Sequence, residues 1–99
     1  MRLTAEQRRL IKQVTAEQVG AGAQVLLFGS RIDDSLRGGD IDLLVRVPEA
    51  LAQRFEAEIR LGARLERALG GQRVDLLLLD PLTPLQPVHR SALATGVAL

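Results

Sequence analysis

Ninety-nine residues, 46% of them hydrophobic, set the scale of a single domain spanning 1–99 with one modest core. Thirteen basic and twelve acidic side chains leave a net charge of +1, without the basic excess that an electrostatic nucleic-acid surface needs. The absence of cysteine excludes disulfides and thiolate metal sites, and no apolar run approaches the ~18 residues of a membrane span.

The first residues, MRLTAEQRRL, lack the apolar core of a signal peptide, so the chain is read as cytoplasmic. Residues 4–19 read as a helix, with Thr4 as N-cap and Gln7 three residues on in a capping-box arrangement. Leu3, Leu10, Ile11, Val14 and Val19 form its apolar stripe, and Gly20 and Gly22 end it. The continuous apolar run QVLLF, 24–28, reads as a strand buried on both faces. IDLLVRV, 41–47, reads as a second strand. About twelve residues, Gly29 to Asp40, connect the two, which is short for a parallel crossover and favours an antiparallel pair. Pro48 then opens a long helix in which Leu51, Phe55, Ile59, Gly62, Leu65 and Leu69 recur at helical spacing as a core stripe, stopped by Gly70-Gly71. RVDLLLL, 73–79, reads as a third strand, and a last helix starts near Pro87 and ends at Gly96. The expected fold is α/β (α+β): a small mixed sheet of about three strands with helices packed on it.

Chemistry concentrates in "LFGSRIDDSLRGGDIDLLV", residues 27–45. Side chains two apart on a strand share a face, so Asp40 and Asp42 project together at the entrance to the second strand. Two like charges held side by side repel, and burial adds to the penalty. A divalent cation relieves both, and magnesium in particular takes one or two carboxylates together with phosphate oxygens. Asp75, inside an otherwise apolar strand, is the third candidate ligand of a two-metal site, because an aspartate there is expensive unless compensated. Gly29 and Ser30 stand where the first strand ends. A glycine admits close approach of a ligand, and exposed amides with a hydroxyl suit phosphate oxygens. Arg31 follows, with a planar fork of donors within reach of a triphosphate. Phosphate donors beside metal-binding carboxylates are the equipment for in-line displacement at phosphorus.

These residues resemble the polymerase β-like nucleotidyltransferase superfamily, and more narrowly its minimal nucleotidyltransferases. The signature of that group is Gly-Ser, a short spacer, Asp-x-Asp and a third aspartate on a later strand, met here by Gly29, Ser30, Asp40, Asp42 and Asp75. The nine-residue spacer is slightly shorter than the commonest form; "GGDIDLLV" and the terminal "TGVAL" are typical, and the resemblance covers nearly the whole chain. It implies that Asp40 and Asp42 bind both Mg²⁺ ions, and that Asp75 binds the catalytic one and readies an acceptor hydroxyl. Gly29 and Ser30 would hold the β- and γ-phosphates of a nucleoside triphosphate, ATP above all, with Arg31 as a further phosphate contact. It also implies a partner: minimal members pair with small helical HEPN-type proteins, in some cases as the antitoxin that AMP-modifies the toxin. The superfamily's larger members carry an extra acceptor domain, and none is expected within these 99 residues.

Other residues have plainer readings. Asp33 and Asp34 are solvated loop residues, Asp80 before Pro81 forms a turn, and Arg8, Arg9 and Lys12 make a solvated helix face. His89, the only histidine, has a surface, partner-facing or helix-terminal role. Leu82, Leu85, Val88 and Leu93 are candidates for an oligomer or partner surface. Two functions stay open: a Mg²⁺-dependent enzyme that moves a nucleoside monophosphate to an acceptor, and a non-catalytic regulatory subunit that covers a helical partner. An antibiotic-modifying type of transferase fits less well, since one small core offers little for a walled acceptor pocket. With Phe28 and Phe55 as the only aromatics, a polymerase fits less well still.

Overall fold

A computed structural model describes residues 3–29 and 39–99. Ser30, Arg31, Asp33 and Asp34 lie outside the described residues. The first helix, α1 (Ala5–Val19), is capped as its sequence dictates. Thr4 Oγ1 accepts from the Gln7 N–H at 3.0 Å and Gln7 Oε1 accepts from the Thr4 N–H at 2.9 Å, so two otherwise orphaned donors are satisfied reciprocally. Strand β1 (Gln24–Phe28) pairs antiparallel with β2 (Ile41–Arg46), as the short connection required. Helix α2 (Arg54–Ala68) then carries the chain to β3 (Val74–Leu79), parallel to β2. Helix α3 (Pro87–Thr95) returns it to β4 (Val97–Ala98), antiparallel to β1. The sheet order is β3-β2-β1-β4. The fourth strand is an addition to the expected fold, since two residues are too short to show any period.

Strand alternation divides the sheet into two unequal faces. Val25 and Leu27 of β1, Ile41, Leu43 and Val45 of β2, and Val74 and Leu78 of β3 turn to one side. There they join Ile11 and Val14 of α1 and Leu61 and Leu65 of α2 in the main core. The other side holds a smaller cluster, Leu26, Leu44 and Leu79 with Ala92 of α3. Phe28, Leu77 and Leu93 are half-buried at its border. Among the described residues, helix α3 packs on this face against β1 and β2 and leaves part of it uncovered.

Helix α2 departs from expectation at its start and in its buried stripe. Pro48 does not open it; the helix begins at Arg54, six residues later. The delay has a specific cause in Asp80, whose Oδ2 accepts the Leu51 N–H at 2.9 Å and holds that backbone out of a helical path. Asp80 also accepts from the Leu82 N–H at 3.0 Å and from Thr83 Oγ1 at 2.8 Å, the turn-forming role expected of it. The Leu51 bond is the main reason its carboxyl titrates below the usual range, followed by the Thr83 bond. The core side of α2 is Ala57, Leu61, Leu65 and Ala68, while Phe55 and Ile59 are 68% and 73% exposed. Leu51, Leu65 and Leu69 of the expected stripe do pack in or against the main core, so the spacing erred at Phe55 and Ile59 in the first half of the helix.

Three side chains of α2 serve the outer edge of β3. Glu66 Oε1 accepts the Val74 N–H at 3.0 Å and Glu58 Oε2 accepts the Leu78 N–H at 2.8 Å, while the Arg54 guanidinium donates to the Leu78 carbonyl at 3.0 Å. An edge strand otherwise offers such groups to any passing chain. Helix α2 ends at Gly70 and Gly71, both left-handed with φ of 71° and 92°. His89 is a capping residue: its Nδ1 accepts the Gln86 N–H at 2.9 Å at the start of α3, which places the ring proton of the neutral imidazole on Nε2. Arg8, Arg9 and Lys12 are exposed on α1, as expected, and Arg9 pairs with Glu6 at 2.6 Å.

Candidate active site

Parallel pairing of β2 with β3 sets Asp42 directly beside Asp75, and antiparallel pairing with β1 sets Phe28 on the other side of Asp42. All three side chains project from the face that α3 leaves partly open. The entry of β2 is fixed from β3: Ile41 N–H donates to the Arg73 carbonyl at 3.0 Å, and the Gln72 side-chain amide donates to the Gly39 carbonyl. Asp40 and Arg73 therefore stand opposite one another at the same end of the strands, with Arg73 Nε 3.6 Å from Asp40 Oδ2.

Burial raises the pKa of the Asp42 carboxyl above the usual aspartate range, and the charges of Asp75 and Asp40 and a hydrogen bond with Asp75 add to the effect. The backbone makes room for this crowded carboxylate at Gly29. With φ of 77°, Gly29 is left-handed, and a Cβ there would lie 3.1 Å from Asp42 Cγ and closer still to Oδ2. The end of β1 and the start of β2 thus fit each other only because position 29 has no side chain.

Sequence reasoning expected Asp40, Asp42 and Asp75 to gather as one ligand set. Asp42 and Asp75 are brought together, whereas the Asp40 carboxylate faces Arg73. Among the described residues, no group of three acidic or histidine side chains is close enough to hold a metal ion as the side chains stand. The donor chemistry nevertheless fits a divalent cation: two strand-paired carboxylates, one of them disfavoured in its charged form, gain from a cation that neutralises their repulsion. Arg73 was overlooked in the sequence. Its signal was available, since it lies two residues before Asp75 and so on the same face of the strand.

A family model for the nucleotidyltransferase domain matches residues 8–95. This chain belongs to that family. The match takes in Gly29, Asp40, Asp42 and Asp75 and runs from within α1 to the end of α3. Nucleotidyltransferases move a nucleoside monophosphate, and the family generally uses a nucleoside triphosphate with a divalent metal. No curated protein matches the sequence. Among the described residues no helix is long and apolar enough to cross a membrane.

Proposed function

We propose that this nucleotidyltransferase domain transfers AMP from ATP, with Mg²⁺, to a hydroxyl on a partner protein, and that the partner is a small helical protein of the HEPN kind. The observation that carries this reading is the pairing of Asp42 with Asp75 on an open sheet face beside Gly29. In this reading Asp40, Asp42 and Asp75 hold the metal, which when bound supplies charge neutralisation at the triphosphate and at the attacking oxygen. The residues of the chain then have separate tasks. Gly29, with Ser30 and Arg31 after it, receives the β- and γ-phosphates. Asp75, exposed at its strand position, orients the acceptor hydroxyl and takes up its proton. The acceptor oxygen bonds to the α-phosphorus as the bond from that phosphorus to the bridging oxygen breaks, and pyrophosphate leaves. Modification of a helical partner in this way fits the antitoxin of a toxin–antitoxin pair.

A second reading, a non-catalytic subunit that covers a helical partner, is supported by the exposure of Leu82, Leu85 and Val88 at 77%, 43% and 50%. Thermal unfolding with Mg²⁺, with ATP and with both separates the two. For the enzyme, the pair of ligands at 100 times the dissociation constant adds about 2.7 kcal/mol to the parent, and Asp42→Asn loses that increment. Label from the α-phosphate of ATP then appears on the co-purified partner. If Asp42→Asn neutralises the partner as well as the parent does, catalysis is not the function and the covering role stands.

A further inference from the structure

The outer face of α2 belongs to no core. Phe55, one of only two aromatic residues in the chain, is 68% exposed, and Ile59, one turn on, is 73% exposed. Phe55 is nevertheless held in place: the Arg54 guanidinium lies 4.3 Å from its ring centroid, and that arginine is itself tied to the Leu78 carbonyl and to Glu58 at 3.7 Å. A large apolar side chain restrained in solvent has already lost part of the rotamer freedom that binding would take from it. Further along the same helix, Gly62 opens a groove of about 340 Å³ between α2 and the edge of β3, floored by Val74 and Leu76, walled by Ile59 and Ala63, and bordered by Glu58 and Glu66, whose carboxylates are bonded to strand amides. A methyl group added at Gly62 would only just reach Leu76, at 3.9 Å, so the groove is open down to the strand.

One helix thus carries an aromatic knob and, two turns away, a hollow. We propose that a second copy of this chain packs on this face, α2 against α2, antiparallel about a two-fold axis near Ile59. A two-fold axis makes an interface self-complementary, because each copy presents both the knob and the hole. Phe55 of each copy then enters the groove at Gly62 and Ala63 of the other, and the two Ile59 side chains meet at the centre. The charges agree with this arrangement. Glu56 and Arg60 stand on one shoulder of the stripe, and neither has an ion-pair partner among the described residues. Reversing the helix direction sets Glu56 of one copy against Arg60 of the other, and the reverse. Strand addition is the competing way to use this edge, but the Val74 and Leu78 amides are already bonded to Glu66 and Glu58. Association through helix faces leaves those bonds intact. The carboxylates lie on the opposite face of the sheet, so both sites of the dimer stay open.

Sedimentation equilibrium of the full chain from low to high micromolar concentration tests the proposal without any nucleotide. The parent is expected to dimerise. Ile59→Glu, at an exposed position, is expected to be monomeric with an unchanged circular dichroism spectrum, and Gly62→Leu, which fills the groove, is expected to be monomeric as well. Glu56→Arg and Arg60→Glu each weaken dimerisation about tenfold or more, equivalent to 1.4 kcal/mol. The double exchange restores it, which a general loss of stability could not do. A parent that stays monomeric throughout overturns the proposal. So does a dimer that survives Ile59→Glu and Gly62→Leu, because its interface must then lie elsewhere.

Discussion

Asp42 is held between like charges, so its ionisation opposes folding rather than supporting it. Its pKa is raised in the folded protein, by burial first and then by Asp75 and Asp40. The stability it contributes is therefore fully present below the ordinary carboxylate pKa and is lost as pH rises through the raised value. Asn at this position cannot ionise. Asp42→Asn is expected to be more stable than the parent at neutral pH, by up to about 1 kcal/mol once solvent screening of a largely accessible site is allowed for. Denaturant titrations across a pH series should show the difference vanish in acid below the ordinary carboxylate range. An equal or lower stability for Asp42→Asn at neutral pH would mean that the carboxylate is not crowded. The pair was legible in the sequence because period-two spacing put Asp40 and Asp42 on one face and an apolar strand made Asp75 anomalous. The Asp40–Arg73 contact was not, because it depends on strand register across β2 and β3, which no local pattern records.

At the scale of elements, α1 and the strands β1, β2 and β3 were legible almost to the residue, since Thr4 and Gln7 form a true capping box and QVLLF has little else to become. Helix α2 was misread in two respects for one reason. Both its starting point and its buried side are decided by partners distant in the chain, Asp80 at Leu51 and the strand that receives Leu61 and Leu65. The same helix disarms the β3 edge, and this can be tested. Glu58→Ala with Glu66→Ala frees the Leu78 and Val74 amides. The loss is expected to be about 1 kcal/mol for each bond. The freed edge should also raise thioflavin-detectable aggregation on warming, whereas Glu56→Ala, which bonds no strand amide, should not. Equal aggregation of the two variants would show that Glu58 and Glu66 do not guard the edge.

For the whole molecule, stability resides on the side of the sheet that α1 and α2 cover. Leu43 is fully buried there, and Leu43→Ala is expected to cost about 2–5 kcal/mol. That is a large fraction of the roughly 5–15 kcal/mol available to a domain. Leu77, half-buried on the other side, should cost clearly less when cut to alanine, and urea denaturation of the two variants measures the contrast. The fold class was readable because hydrophobic runs alternate with helical patterns; β4 was not, being two residues recruited by β1. The unequal faces have a further consequence. Asp40, Asp42, Arg73 and Asp75 are not part of the main core, so their replacement is expected to leave the scaffold folded. Under the proposed function, the working surface of this domain is separable from its foundation, so a mutagenesis library can try new substrates there one position at a time.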